Sequence, residues 1–115
     1  MRLLLVLLAL FLLAGCASIP KDAVEVPLQD LIAAPERYEG RLVVVRGYVS
    51  YGFEDCMVDG QIWYWPSRGT CYGTDSWLDA WSGNGYVIGV VSAKDHGHLG
   101  AFPLTLIKAR AVREW

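Results

Sequence analysis

Arg41-Leu42-Val43-Val44-Val45-Arg46-Gly47-Tyr48-Val49-Ser50-Tyr51 is the stretch that decides the fold class. Successive side chains of a β-strand point to opposite faces. Val43, Val45, Gly47, Val49 and Tyr51 then share one face, apolar throughout. Leu42, Val44, Arg46, Tyr48 and Ser50 share the other, which carries a charge and a hydroxyl. This pattern predicts a strand with one face on a core. A slip of one residue exchanges the two faces, so the register is strongly specified. Gly47 in the middle predicts a bulge or sharp bend, a device that lets one strand serve two edges of a small barrel.

The chain outward from this strand punctuates itself. Glu54 to Val58 is a weaker strand, Asp59-Gly60 is a hairpin turn signal, and Gln61 to Trp65 returns until Pro66 stops it. Ser67 to Gly73 is a loop holding Cys71. Trp77, Leu78 and Trp81 then take helical spacing, with Thr74 or Ser76 as a cap and Gly83 as a stop, so a short helix is expected over 75–82. Gly85 to Ala93 is nearly all apolar, a strand buried on both faces. After a polar loop from Lys94 to Gly100, Phe102 to Glu114 forms a last strand. Its alternation slips between Leu104/Leu106 and Ile107/Ala109/Ala111, which predicts a bulge near Ile107. In front, Pro27 opens a helix with Leu28, Leu31 and Ile32 on one side, Pro35 ends it, and Glu36 to Gly40 is a turn. The expected fold is mainly β. Five strands, a short helix between the third and fourth and a short N-terminal helix give the chain order of an OB-like, partly open barrel.

The N-terminus has another character. Met1-Arg2 supplies a positive charge, and Leu3 to Leu13 is an unbroken apolar run of 11 residues. At about 1.5 Å per residue it cannot cross a hydrocarbon core of about 30 Å. A basic start, an apolar stretch of this length and small residues behind it are the parts of a secretory signal. Leu13-Ala14-Gly15-Cys16 resembles the bacterial lipobox. The resemblance implies cleavage before Cys16, a diacylglycerol on its thiol and an acyl chain such as palmitate on its amino group. Two or more acyl chains make a stable anchor. The expected organisation is a signal peptide over 1–15, lipidated Cys16 and a tether over 16–26, and an OB-like domain over 27–115. Ala17-Ser18 lack the Asp that favours inner-membrane retention in Gram-negative lipoproteins. The expected location is therefore the cell envelope, on the outer membrane facing the periplasm where the cell has one.

Removal of the first 15 residues leaves 100, one small domain with a thin core. Loss of Arg2 takes the formal charge from −2 to −3. A weakly acidic domain outside the cytoplasm is a poor nucleic-acid binder, because that affinity comes mainly from phosphate neutralisation. The sequence also holds no basic run that would grip an anionic membrane surface.

Cys56 and Cys71 remain in an oxidising compartment, 15 positions apart. A disulfide is expected, worth about 3 kcal/mol by loop closure. The alternative of a reactive thiol or metal pair lacks a third Cys or a nearby His. Asp95-His96-Gly97-His98 places two imidazoles and a carboxylate in one turn. Such a set suits zinc or copper, although a closed site wants four ligands, and the turn reads equally as an exposed loop with satisfied histidines. Trp63, Trp65, Tyr72, Trp77, Trp81 and Tyr86 crowd into 24 residues. On an OB-fold they form either a ligand platform or the filling of a thin core. No G-x-S-x-G, H-E-x-x-H, phosphate-binding glycine loop or S-x-x-K is present, so neither an enzyme nor a cofactor is implied. Gly83-Asn84-Gly85 reads as a helix stop and turn, and Glu54, Asp55 and Asp59 as solvated charges flanking a hairpin.

Residues 30–49 (Asp-Leu-Ile-Ala-Ala-Pro-Glu-Arg-Tyr-Glu-Gly-Arg-Leu-Val-Val-Val-Arg-Gly-Tyr-Val) resemble the opening of many bacterial OB-fold domains: short helix, Pro, aromatic, Gly, then a Val-rich strand with Arg-Gly near its end. With Tyr86 to Leu106, which contains the Asp95–His98 turn, the chain resembles small bacterial envelope lipoproteins over most of residues 27–113. This implies an architecture more than an activity. The expectation is a membrane-tethered, non-enzymatic binding or assembly module for a protein, peptide or glycan. A metal-binding or metal-sensing lipoprotein using Asp95, His96 and His98 is the alternative, and a small hydrolase with an unrecognised site a second.

Overall fold

The elements are β1 (Val24–Glu25), α1 (Leu28–Ala33), a 3-10 turn (Pro35–Tyr38), β2 (Leu42–Tyr51), β3 (Met57–Val58), β4 (Ile62–Pro66), α2 (Thr74–Leu78), β5 (Trp81–Ser92), a second 3-10 turn (His98–Gly100) and β6 (Thr105–Arg113). They come from a computed structural model that describes residues 19–114. The expected signal peptide and the lipidation site Cys16 lie outside the described residues. Among the described residues no helix is long and apolar enough to cross a membrane.

β2 is the strand on which the others assemble. It pairs antiparallel with β5 from Leu42↔Val90 to Tyr51↔Trp81 without a break. Its other edge is divided, with β1 parallel to it at Val43–Val44 and β3 antiparallel at Val49–Ser50. β3 pairs with β4, β4 runs parallel to β6, and β6 is antiparallel to β5. The ring β2-β3-β4-β6-β5-β2 is a closed five-stranded barrel of OB-like order, with α2 between its third and fourth strands and β1 added outside the ring. The barrel expected to be partly open is closed in its pairing. Its narrowest link is the two-residue β3.

The inner face is the predicted one: Val43, Val45 and Val49 are wholly buried among Leu31, Ile62, Val87, Leu104 and Leu106. Burial of each such side chain stabilises the fold by about 1.5–3 kcal/mol. The outer face departs from expectation. Val44 is buried too, in a second small cluster with Tyr86 and Ile88, covered by Ala23, Leu42 and Val112. Part of the cover, Ala23, comes from the segment expected to be the tether. Val26 N–H donates to the Val44 carbonyl (3.0 Å), and Val26 is buried. The outer face of β2 is therefore buried at Val44, half-buried at Leu42 and exposed at Arg46 and Tyr48.

Gly47 makes no bulge. It faces Gly85 across an unbroken ladder, and both glycines answer close approaches. A Cβ on Gly47 would lie 2.9 Å from Asp59 Oδ2, and one on Gly85 would lie 2.2 Å from the Val112 carbonyl oxygen. The expected bulge near Ile107 is present one residue on: the β5–β6 pairing jumps from Ile88↔Arg110 to Val90↔Ile107, with Lys108 at φ 49°. Asp59-Gly60 turns the β3–β4 hairpin with both φ values positive, 51° and 66°, as a type I′ turn requires.

The predicted strand over 54–58 shrinks to Met57–Val58, because Glu54 (φ 55°) and Asp55 are in a turn ahead of Cys56. The predicted helix over 75–82 also shortens, to Thr74–Leu78. Neither Thr74 nor Ser76 caps it, since Gly73 is the N-cap. Trp81 and Ser82 already belong to β5, paired with Tyr51 and Ser50. Gly83 and Gly85 are thus strand residues and not a helix stop. A long-range ladder outweighed a local helical spacing that only one turn of helix supported.

Candidate functional site

Alternation along β4 sets Ile62 and Tyr64 against Trp63 and Trp65. Tyr64 turns toward Ala109 and Ala111, and its hydroxyl donates to the Ser50 carbonyl (2.7 Å). Burial pushes its pKa well up, with Tyr51 and Asp55 adding to the effect. Trp63 and Trp65 face the other way and are roofed by loops. His98 stacks on Trp63 (5.3 Å, 21°), Phe102 lies at 5.4 Å and Tyr72 at 6.4 Å. Trp65 Nε1 donates to Asp95 Oδ2 (3.1 Å). An OB barrel ordinarily offers ligands its second and third strands between the flanking loops. Here the chain's own loops occupy that surface, and Trp63 is wholly buried.

The aromatic surface open to solvent lies beside this roof. Phe53 stacks on Trp77 (4.9 Å, 16°) and meets Tyr72 edge-on (6.3 Å). Trp77 is 69% exposed and its neighbour Leu78 is 79% exposed. The Cys56–Cys71 disulfide ties the loop after β2 to the loop after β4. Glu54 N–H donates to the Cys71 carbonyl (2.7 Å), and the buried Ser76 hydroxyl donates to the Gly73 carbonyl (2.5 Å). Tyr72 Oη lies 2.6 Å from His98 Nδ1. Burial and then the Glu54 carboxylate raise the Tyr72 pKa, so the phenol stays neutral and able to donate. These bonds hold a ledge of three rings at one end of the barrel.

Two concavities adjoin the ledge. A groove of about 370 Å³ runs beside Phe53 and Trp77 to Tyr51 and Trp81. Tyr51 and Trp81 also wall a cleft of about 460 Å³, whose floor includes Ala109 and Ala111 and whose rim carries Arg68 and Arg110. Tyr51 and Trp81 line both concavities, so groove and cleft lie side by side. Burial and then Asp75 raise the Tyr51 pKa, and its hydroxyl donates to the Thr70 carbonyl (3.3 Å).

The six aromatics singled out from sequence therefore divide, and Tyr86 is buried in the small outer cluster with Val44 and Ile88. Tyr72 and Trp77 come together in solvent, Trp81 walls the groove and the cleft, Trp65 is half-buried under the roof, and Trp63 is core. Phe53 was missed. Its signal was an aromatic in the loop behind the decisive strand, three residues before Cys56. Asp59, read as a solvated charge, accepts from the Tyr48 N–H (2.8 Å) where β2 lacks a strand partner between β1 and β3. The histidine turn is internally engaged. His96 Nδ1 lies 2.8 Å from the Phe102 carbonyl oxygen, Asp95 Oδ1 accepts from Gly97 N–H (2.9 Å), and His98 bonds Tyr72. Among the described residues no three His, Cys, Asp or Glu side chains gather as a metal site. No family model matches the chain, and no curated protein or solved structure matches it either.

Proposed function

We propose that the protein is a non-enzymatic binding module of the bacterial cell envelope, tethered to the membrane through lipidated Cys16, whose Phe53–Trp77–Tyr72 ledge takes an extended peptide or glycan strand. The observation that carries this reading is the Phe53–Trp77 stack standing in solvent beside a groove and a neighbouring cleft. Exposed aromatics in a contiguous group mark interaction surfaces, and rigid rings lose little entropy on contact. A ledge with a groove and a cleft beside it suits a chain-like ligand better than a compact one. The basic start, the short apolar run and Leu13-Ala14-Gly15-Cys16 support the tether.

Capture from solubilised envelope, comparing wild type with Trp77→Ala, tests the ledge. Trp77 supports little of the core, so the variant should keep its melting temperature. Loss of a central aromatic contact should lower capture of the ligand about 30-fold, the size of a typical hot spot. Equal capture by the variant would remove the ledge from the function. A fatty-acid probe should label the wild type and not Cys16→Ser; label retained in that variant would remove the anchor.

A further inference from the structure

At the opposite end of β2 from the ledge lies a second, differently built surface. A groove of about 560 Å³ is lined by Ile19, Pro20, Lys21, Leu42, Ile88, Lys108 and Arg110. Its charged lining residues are all cations, and they come from two distant stretches of the chain. The β6 bulge makes this possible. In the phase of Leu104 and Leu106, which face the core, Lys108 and Arg110 would also point inward. The extra residue at Lys108–Ala109 reverses the phase, so Ala109 is buried while Lys108 and Arg110 are exposed. Strand β1 then brings the 19–21 segment alongside, with Lys21 exposed and Ile19 38% exposed.

Ile19 is three residues past Cys16. Three residues span at most about 11 Å. If Cys16 carries the lipid, this edge of the groove cannot stand more than about that distance from the bilayer surface. We infer that this groove is a docking surface for anionic phospholipid headgroups, which holds the barrel on the membrane with the aromatic ledge at the far end of β2. The inference rests on the tether proposed above. Ile19 and Leu42 supply apolar contact at the headgroup level, and Lys21, Lys108 and Arg110 supply the charge.

The chain has three lysines, Lys21, Lys94 and Lys108, of which Lys94 does not line the groove. The lipidated protein is reconstituted on vesicles of phosphatidylcholine alone or with one-third phosphatidylglycerol, and lysine acylation by a water-soluble reagent is read by mass spectrometry. Relative to Lys94, acylation of Lys21 and Lys108 should slow about fivefold on the anionic vesicles, the factor expected for one cation at such a surface, and not on phosphatidylcholine. Lys108→Glu should return Lys21 to the Lys94 rate on anionic vesicles. Equal labelling of the three lysines on both vesicle types overturns the docking surface while leaving the tether intact, provided the protein floats with both. Failure to float with phosphatidylcholine vesicles would instead overturn the tether. Protection of Lys21 and Lys108 by inorganic phosphate without anionic lipid would reassign the groove to a soluble anion and overturn the membrane docking.

Discussion

Val45 is wholly buried on the inner face of β2, and Arg46 beside it is exposed on the outer face. Arg46 bonds Glu25 through Nε (2.5 Å) and Glu114 through Nη1 (2.6 Å), and lies over the Tyr86 ring at 5.0 Å. Both carboxylates hold the guanidinium pKa above its ordinary value. The pair of positions makes a sharp test. Val45→Asp places a carboxylate in an apolar site without a partner, a cost of several kcal/mol against a total stability of about 5–15 kcal/mol. Circular dichroism should show an unfolded domain. Arg46→Asp should leave the barrel folded, but it sets three carboxylates together and releases β1 and the segment at the end of β6. Amide exchange at residues 23–26 and 113–114 should then accelerate while the β2–β5 core stays protected. Both were readable as inner and outer positions from alternation. The clamp on Glu25 and Glu114 was not, because its partners lie 21 and 68 residues away.

Local signals read well where the backbone itself made the choice. Asp59-Gly60 turned as read, Pro35 ended α1, and the slipped alternation of the last strand located its bulge within a residue. They failed where pairing across the barrel competed. The helix over 75–82 lost its second half to the β2–β5 ladder, and the strand over 54–58 lost its first half to the turn ahead of the disulfide. That disulfide joins the two loops that bear Phe53 and Tyr72. The double variant Cys56→Ser/Cys71→Ser should lose about 3 kcal/mol, from the 15-residue loop it no longer closes. Urea unfolding measures this loss. Trp77 fluorescence should also become more mobile, since the Phe53 loop is no longer tied to the loop that leads into α2. An unchanged urea midpoint would mean that the loops are held by their hydrogen bonds alone.

At the scale of the whole barrel, alkaline pH provides a probe of closure. Tyr64 lies at the β4–β6 seam with its hydroxyl donated to Ser50 on β2, and burial raises its pKa well above the ordinary 10. The unfolded chain releases this proton near pH 10 and the folded barrel keeps it, so above that pH the unfolded state binds fewer protons. Stability from this group is complete below pH 10 and declines above it, by about 1.4 kcal/mol per pH unit. Urea midpoints should fall along that slope in the wild type. Tyr64→Phe, which has no proton to lose, should show a flatter decline; an equal slope would place the alkaline sensitivity elsewhere.

The order of the five barrel strands, the inner face of β2, the last-strand bulge and the cysteine pairing were legible in the sequence alone, because each depends on neighbours a few residues apart or on cysteine parity. The signal-like start and Cys16 are likewise sequence features, and their role rests on that pattern. Tertiary structure alone decided which aromatics are exposed. All six lie within one short stretch of chain, and only the fold of the loops over β4 buries Trp63 while leaving Trp77 in solvent. It alone drew the basic groove from Lys21, Lys108 and Arg110, since no linear run of charge records what a bulge and a parallel strand bring together. Side-chain direction at a bulge and coverage by a distant loop are properties of long-range packing, and that packing exists only once the barrel has closed.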